Sequence, residues 1–142
     1  MRIIGGKKKG KKILSPKDKS TRPLKDLVKE SIFNIIQHSN LFDIKIKNSN
    51  VLDLFSGIGS FGLECLSRDA KSVTFFENYS KVLPILKKNI HNLGYEKKTI
   101  IIETDIFDKK SLDYLKKKND IIFIDPPYKQ KNLLEIINNI DH

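Results

Sequence analysis

Val51-Leu52-Asp53-Leu54-Phe55-Ser56-Gly57-Ile58-Gly59-Ser60-Phe61-Gly62 is the stretch on which the fold turns. A short apolar run ends in an aspartate, a glycine-rich turn follows, and helix-type sequence runs from Leu63 to Arg68. An apolar run of this length suits a strand buried on both faces, as in a parallel sheet. Gly57, Gly59 and Gly62 make G-x-G-x-x-G. The first two permit a tight turn and close backbone approach to a ligand, and the third lets the helix start pack on the strand. Packing alone can explain such glycines, so the pattern needs context.

Context comes from the acids. Glu77 ends the next apolar run, Ser72-Val73-Thr74-Phe75-Phe76. It lies about 20 residues past the first glycine, where a carboxylate that binds ribose hydroxyls is expected. Asp53 precedes the glycines, at the carboxyl end of the first strand. Dinucleotide oxidoreductases usually lack an acid there; a ligand with a positive ammonium, such as S-adenosylmethionine, suits one.

Working outward, the apolar runs 50–54, 72–77, 99–103 and 120–124 read as strands, and 60–68, 80–92, 110–118 and 130–140 as helices. This alternation predicts an α/β fold, a mostly parallel sheet with helices on both faces. Upstream, Leu24, Leu27, Val28, Ser31/Ile32 and Ile35/Ile36 follow the helical period over 24–37, so this stripe is expected to pack on the body. Residues 2–14 read as strand, glycine- and lysine-rich turn, strand. The chain divides into a basic extension and helix, 1–40, and a core, 41–142.

Charge is front-loaded. The net charge is +10 over 142 residues, yet residues 1–30 hold 11 Lys+Arg against 3 acids, a net of +8. A basic arm on a nearly neutral body points to a polyanion partner, with Arg2, Lys7, Lys8, Lys9, Lys11, Lys12 and Arg22 as the phosphate-gripping candidates. No apolar run reaches the roughly 18 residues of a membrane span, and Met1 to Lys7 lack a signal-peptide core. Cys65 is the one cysteine, so no disulfide framework or thiolate cluster is expected. These features point to the cytosol. His38, His91 and His142 lack metal-ligand spacing, and no metal site is expected.

The second informative stretch, Asp125-Pro126-Pro127-Tyr128, follows the fourth strand directly. Ligands of open α/β sheets bind at the carboxyl ends of the strands, so this corner, the glycine loop, Glu77 and Asp105 are expected to face one crevice. The prolines stiffen the backbone and remove two N–H donors, which presents nearby carbonyls. A carboxylate, presented carbonyls and an aromatic ring suit a planar group with N–H donors, and so methylation of an exocyclic amino group.

Asp53-Leu54-Phe55-Ser56-Gly57-Ile58-Gly59, with Glu77, Asp105 and Asp125 to Tyr128, resembles the class I S-adenosylmethionine-dependent amino-methyltransferases, a Rossmann-like fold. Met1 to Lys7, Arg22-Pro23, Asp26-Leu27-Val28-Lys29-Glu30 and Phe33-Asn34 narrow the resemblance to the RsmD family. It implies methylation of guanine N2 in bacterial small-subunit ribosomal RNA, free or in an assembling subunit, by a monomer. By the same resemblance Asp53, Phe55, Gly57 and Gly59 hold the methionine part, Glu77 the ribose, and Asp105 and Ile106 the adenine. Asp125, Pro126, Pro127 and Tyr128 meet the guanine. The family fold continues beyond the helix at 130–140, so the resemblance implies further C-terminal strands that this chain lacks. Leu24-Lys25-Asp26-Leu27 stands where the family usually has Thr-Thr-Asp-Arg. Two alternatives stay open: methylation of adenine N6, cytosine N4 or glutamine by the same tetrapeptide, and an RNA-binding module without catalysis.

Overall fold

The computed structural model describes residues 1–18 and 24–140. Arg22 of the candidate phosphate grip lies outside them. Strands β1 (Asn50–Leu54), β2 (Ser72–Phe76), β3 (Thr99–Ile102) and β4 (Ile121–Ile124) form one parallel sheet in the order β3-β2-β1-β4. The order reverses beside β1, so the crevice beyond the ends of β1 and β4 is the topological switch point of the sheet.

Alternation along each strand sorts two apolar layers. Val51, Val73, Phe75, Ile101, Ile121 and Phe123 pack with α1 (Asp26–His38), α2 (Ser60–Ser67) and α3 (Leu83–Leu93). Leu52, Leu54, Phe76, Ile102, Ile122 and Ile124 pack with α4 (Lys109–Leu115) and α5 (Leu133–Ile140). The helices therefore cover both faces, as the sequence pattern predicts. Gly62 makes the α2 contact possible, because a Cβ there would lie 2.4 Å from Phe75 Cε1. Element ends shift by a few residues: α3 starts at Leu83 and α5 at Leu133, both three residues inside the expected helices, and a single 3₁₀ turn, Glu96–Lys98, leads into β3. None of these helices is long and apolar enough to cross a membrane.

The expected stripe of α1 packs only in part: Leu24, Ile32 and Ile36 lie against the core, but the inward face is centred elsewhere. Lys29 and Phe33 are buried and Ile32 and Ile36 are partly so, while Leu27, Val28 and Ile35 are 75%, 46% and 55% exposed. The cause is electrostatic. Glu64 of α2 is fully buried, and Lys29 Nζ lies 3.3 Å from its Oε1 and donates to the Arg2 carbonyl at 2.7 Å. A pair this deep in the core is costly to separate, so it dictates which face of α1 turns inward.

The N-terminal segment is a hairpin with a single antiparallel bridge, Arg2 to Lys12, and it is docked rather than loose. Ile3 and Ile13 are buried in the same cluster as Val51 and Phe61. The Ile4 and Gly5 N–H groups donate to Glu64 at 2.8 and 3.0 Å, and the Lys7 N–H donates to the Ser67 carbonyl at 2.7 Å.

Candidate active site

The crevice is assembled from strand ends. After β1 the chain turns sharply through Phe55, whose φ of 57° lies in the left-handed region; for a non-glycine residue this costs about 1–3 kcal/mol and needs support from its surroundings. Ser56 supplies it: its N–H donates to the Phe76 carbonyl at 2.9 Å, and its Oγ donates to the Asp53 carbonyl at 2.6 Å. Gly57 (φ 56°) follows, with no protein atom within 4 Å of where a Cβ would stand. Its N–H donates to Glu77 Oε2 at 2.7 Å. Glu77 Oε1 accepts from the N–H groups of Asn78 and Tyr79 at 3.0 and 2.9 Å. One carboxylate thus ties the loop after β1 to the loop after β2.

Asp105 follows β3 and is exposed; its Oδ1 accepts the Phe107 N–H at 3.0 Å, which seats Ile106 in the core. Asp125 and Pro126 are half-buried after β4, and Tyr128 is 87% exposed. The Pro127 carbonyl accepts the Gln130 N–H at 2.8 Å. This corrects one expectation: the turn consumes the Pro127 carbonyl instead of presenting it.

Asp53, Phe55, Gly57, Glu77, Asp105, Ile106 and all four residues of the 125–128 corner line one crevice of about 730 Å³. Gly59 is set back from it, holding the start of α2 at φ 87° with its missing Cβ only 2.6 Å from Leu86 Cδ1. The walls add residues that motif reading does not supply. Phe61 stacks on Phe123 at 3.9 Å between centroids and on Phe33 at 5.2 Å, which fastens α1 to the crevice wall. Such pairs add about 0.5–1.5 kcal/mol each beyond their burial. Tyr79 lines the crevice as well, and so does Asn132, at φ 67°. The signal for Asn132 is its place just before an apolar helical run, a helix-start position. Cys65 is fully buried, and burial pushes its thiol well above its ordinary range, so it is a packed side chain.

Among the described residues, four carboxylates, Asp53, Glu77, Asp105 and Asp125, share this crevice with one lysine, Lys131, in a chain of net charge +10. Asp53 is 1% exposed, and its carboxylate accepts the Gly62 N–H at 3.1 Å. Burial, reinforced by Asp125 and Glu77, pushes its carboxyl up to about 8 against the pull of that N–H. Among the described residues the lining carries more negative than positive charge.

Across residues 1–142 the sequence matches the family described as conserved hypothetical protein 95. The chain belongs to this family, the RsmD family. It is 37% identical over 133 residues to the ribosomal RNA small subunit methyltransferase D of Haemophilus influenzae, covering 90% of this chain and 64% of that protein. To the protein of the same name from Escherichia coli it is 32% identical over 144 residues, covering 99% and 67%. The solved structure of Escherichia coli yhhF matches with a TM-score of 0.77 at 30% identity, over 99% of this chain and 71% of that one. This chain therefore spans about two thirds of the length of these curated RsmD relatives. The fold is that of the class I methyltransferases, Rossmann-like, with the four parallel strands and both helical layers present.

Proposed function

We propose that this chain carries the cofactor and base sites of an S-adenosylmethionine-dependent methyltransferase that modifies the N2 amino group of a guanine in small-subunit ribosomal RNA. One observation carries the reading: the glycine loop and the Asp125-to-Tyr128 corner open into the same crevice. In this reading residues 1–40 are the basic RNA-binding extension and 41–142 the methyltransferase core.

The residues present fit the cofactor. A cluster of carboxylates around the nearly inaccessible Asp53 favours a cation in the crevice. Asp53 and the loop from Phe55 to Gly59 would hold the aminoacyl end, Glu77 the ribose hydroxyls, and Ile106 with Asp105 the adenine. S-adenosylmethionine supplies an electrophilic methyl on a sulfonium.

The chain's own contribution is positioning. The amino group of guanine is a poor nucleophile because its lone pair is delocalised into the ring. Asp125 and the Pro126 carbonyl accept the two N–H hydrogens, which favours a pyramidal nitrogen. Tyr128, exposed at the rim, stacks on the base. A paired guanine must be splayed out to enter.

The test is incubation with tritiated cofactor and unmethylated small ribosomal subunits, followed by nucleoside analysis. Tritium in N2-methylguanosine is expected. Tritium in methylated adenine, cytosine or glutamine would move the assignment to those acceptors, and RNA binding without any cofactor binding would leave a non-catalytic module. Asp125→Ala is expected to reduce transfer by about 10²–10³-fold, the loss typical of a transition-state contact, while calorimetric cofactor affinity holds. Equal loss of both would remove Asp125 from its role.

A further inference from the structure

The hairpin and α1 enclose a second recess of about 450 Å³, which shares no lining residue with the crevice. Its size falls within the range of small-ligand clefts. Three cations, Arg2, Lys9 and Arg68, line it together with Asp26, Glu30 and Asn34.

Two of these groups are held in place and left short of partners. The Arg68 guanidinium lies over the Phe33 ring, 4.5 Å from its centroid, with Nε on Glu64 at 3.1 Å. Gly5 makes room for it, since a Cβ there would stand 2.5 Å from Nη2. The Nη groups make no hydrogen bond among the described residues. Asp26 Oδ1 is buried without a hydrogen-bond partner among the described residues. Asp26 Oδ2 faces Arg2 Nε at 3.4 Å, in a pair exposed by 66% and 40%. An exposed pair of this kind contributes at most about 1 kcal/mol, so Arg2 exchanges readily onto another anion. Among the described residues the recess therefore offers an acceptor lacking a donor, a guanidinium whose Nη groups lack acceptors, and exposed cations at its edge. Its complement is an anion that also carries a ring with N–H donors and a carbonyl or ring-nitrogen acceptor.

We propose that the recess is a second nucleotide subsite, which takes one unpaired nucleotide of the RNA whose target base enters the crevice. Arg2 and Lys9 meet its phosphate, Asp26 and Asn34 accept from the base, and Arg68 donates to it. The inference rests on the RNA methyltransferase reading and extends it to a second point of contact.

The decisive variant is Asp26→Asn, because it removes a negative charge. General attraction between a basic arm and RNA predicts tighter binding for this variant. A base contact predicts weaker binding, by up to about tenfold, because the amide that replaces the carboxylate is a weaker acceptor and offers one oxygen in place of two. Binding of unmethylated small-subunit ribosomal RNA is measured by filter retention, cofactor affinity by calorimetry, and folding by thermal unfolding. Asn34→Ala, at an exposed position, is expected to weaken RNA binding about five- to tenfold with cofactor affinity unchanged, and it carries the test if Asp26→Asn unfolds. Unchanged or tighter RNA binding in the folded variants overturns the subsite alone. A wild-type chain that binds cofactor and no RNA overturns the RNA reading and the subsite with it.

Discussion

Two carboxylates flank the same helix, and both are out of water. Glu64 sits in α2 and is fully buried; Asp53 faces the first turn of α2 and is 1% exposed. Around Glu64 stand Lys29 Nζ at 3.3 Å, Arg68 Nε at 3.1 Å, and the N–H groups of Ile4 and Gly5 at 2.8 and 3.0 Å. Around the Asp53 carboxylate stand, among the described residues, the Gly62 N–H and, further off, the carboxylates of Asp125 and Glu77. Burying a charge is tolerated when cations and donors replace water, and is expensive otherwise. Glu64 is complete without a ligand and holds the hairpin, α1 and α2 together. Asp53 has no cation beside it among the described residues, which on the methyltransferase reading suits a positively charged ligand.

The sharpest way to break this contrast is to neutralise each carboxylate in turn. Glu64→Gln keeps the shape but strands the Lys29 ammonium, which burial already holds below its ordinary range despite the pull of Glu64. Removing one partner of a buried pair costs about 3–5 kcal/mol. The urea midpoint should fall accordingly, and amide exchange at Ile4 and Gly5 should accelerate first. A loss under about 1 kcal/mol would mean that Ile3, Ile13 and the Ser67 contacts anchor the hairpin without Glu64.

Asp53→Asn should act with the opposite sign. The carboxyl is raised from about 4 to about 8, so the folded chain keeps its proton where the unfolded chain loses it. Stability from this group is full below pH 4 and is lost as pH rises to 8, with a slope of up to about 1.4 kcal/mol per pH unit. Asparagine removes that slope and can still accept from the Gly62 N–H. Urea unfolding at pH 5, 7 and 9 should therefore show the variant gaining on the wild type, by up to about 4 kcal/mol between pH 5 and pH 9. Calorimetry should show its cofactor affinity falling at least about tenfold, the value of one charge-assisted contact. Parallel pH curves would show that Asp53 titrates like a surface carboxylate, and the contrast with Glu64 would vanish.

The same contrast explains what the sequence made legible. Apolar runs such as Val51-Leu52 and Ile121 to Ile124 announce buried strands, because a strand covered on both faces has few other compositions open to it. The turn and corner residues announce the crevice, because glycine and proline restrict the backbone locally. The face of α1 was hidden. It depends on a lysine meeting a glutamate 35 positions away in the chain, and periodicity counts Lys29 as a surface residue. The docking of the hairpin was hidden for the same reason, since Glu64 and Ser67 hold it through backbone groups with no side-chain signature. Motif reading found Asp125 and Asp53 separately; that Asp125 adds to the cost of charging Asp53 follows only from their convergence.

The mildest effect concerns cations, and the contrast holds for them too. On the RNA reading, all the lysines of the hairpin look equivalent in sequence, yet the fold treats them differently. Lys7 pairs with Asp69 at 2.7 Å, and Lys8 lies 5.9 Å over the Tyr95 ring. Lys11 and Lys12 are exposed and form no ion pair among the described residues. A cation already facing a carboxylate adds less to the field that RNA meets, and part of its phosphate contact is offset by the aspartate left behind. Lys11→Gln with Lys12→Gln should therefore reduce the slope of log affinity against log salt by up to about 1.4–1.8, the release expected for two lost phosphate contacts. Lys7→Gln should change it by less than half of one contact. Equal effects at both places would show that Lys7 leaves Asp69 when RNA arrives, and that the internal pair is a resting position rather than a fixed one.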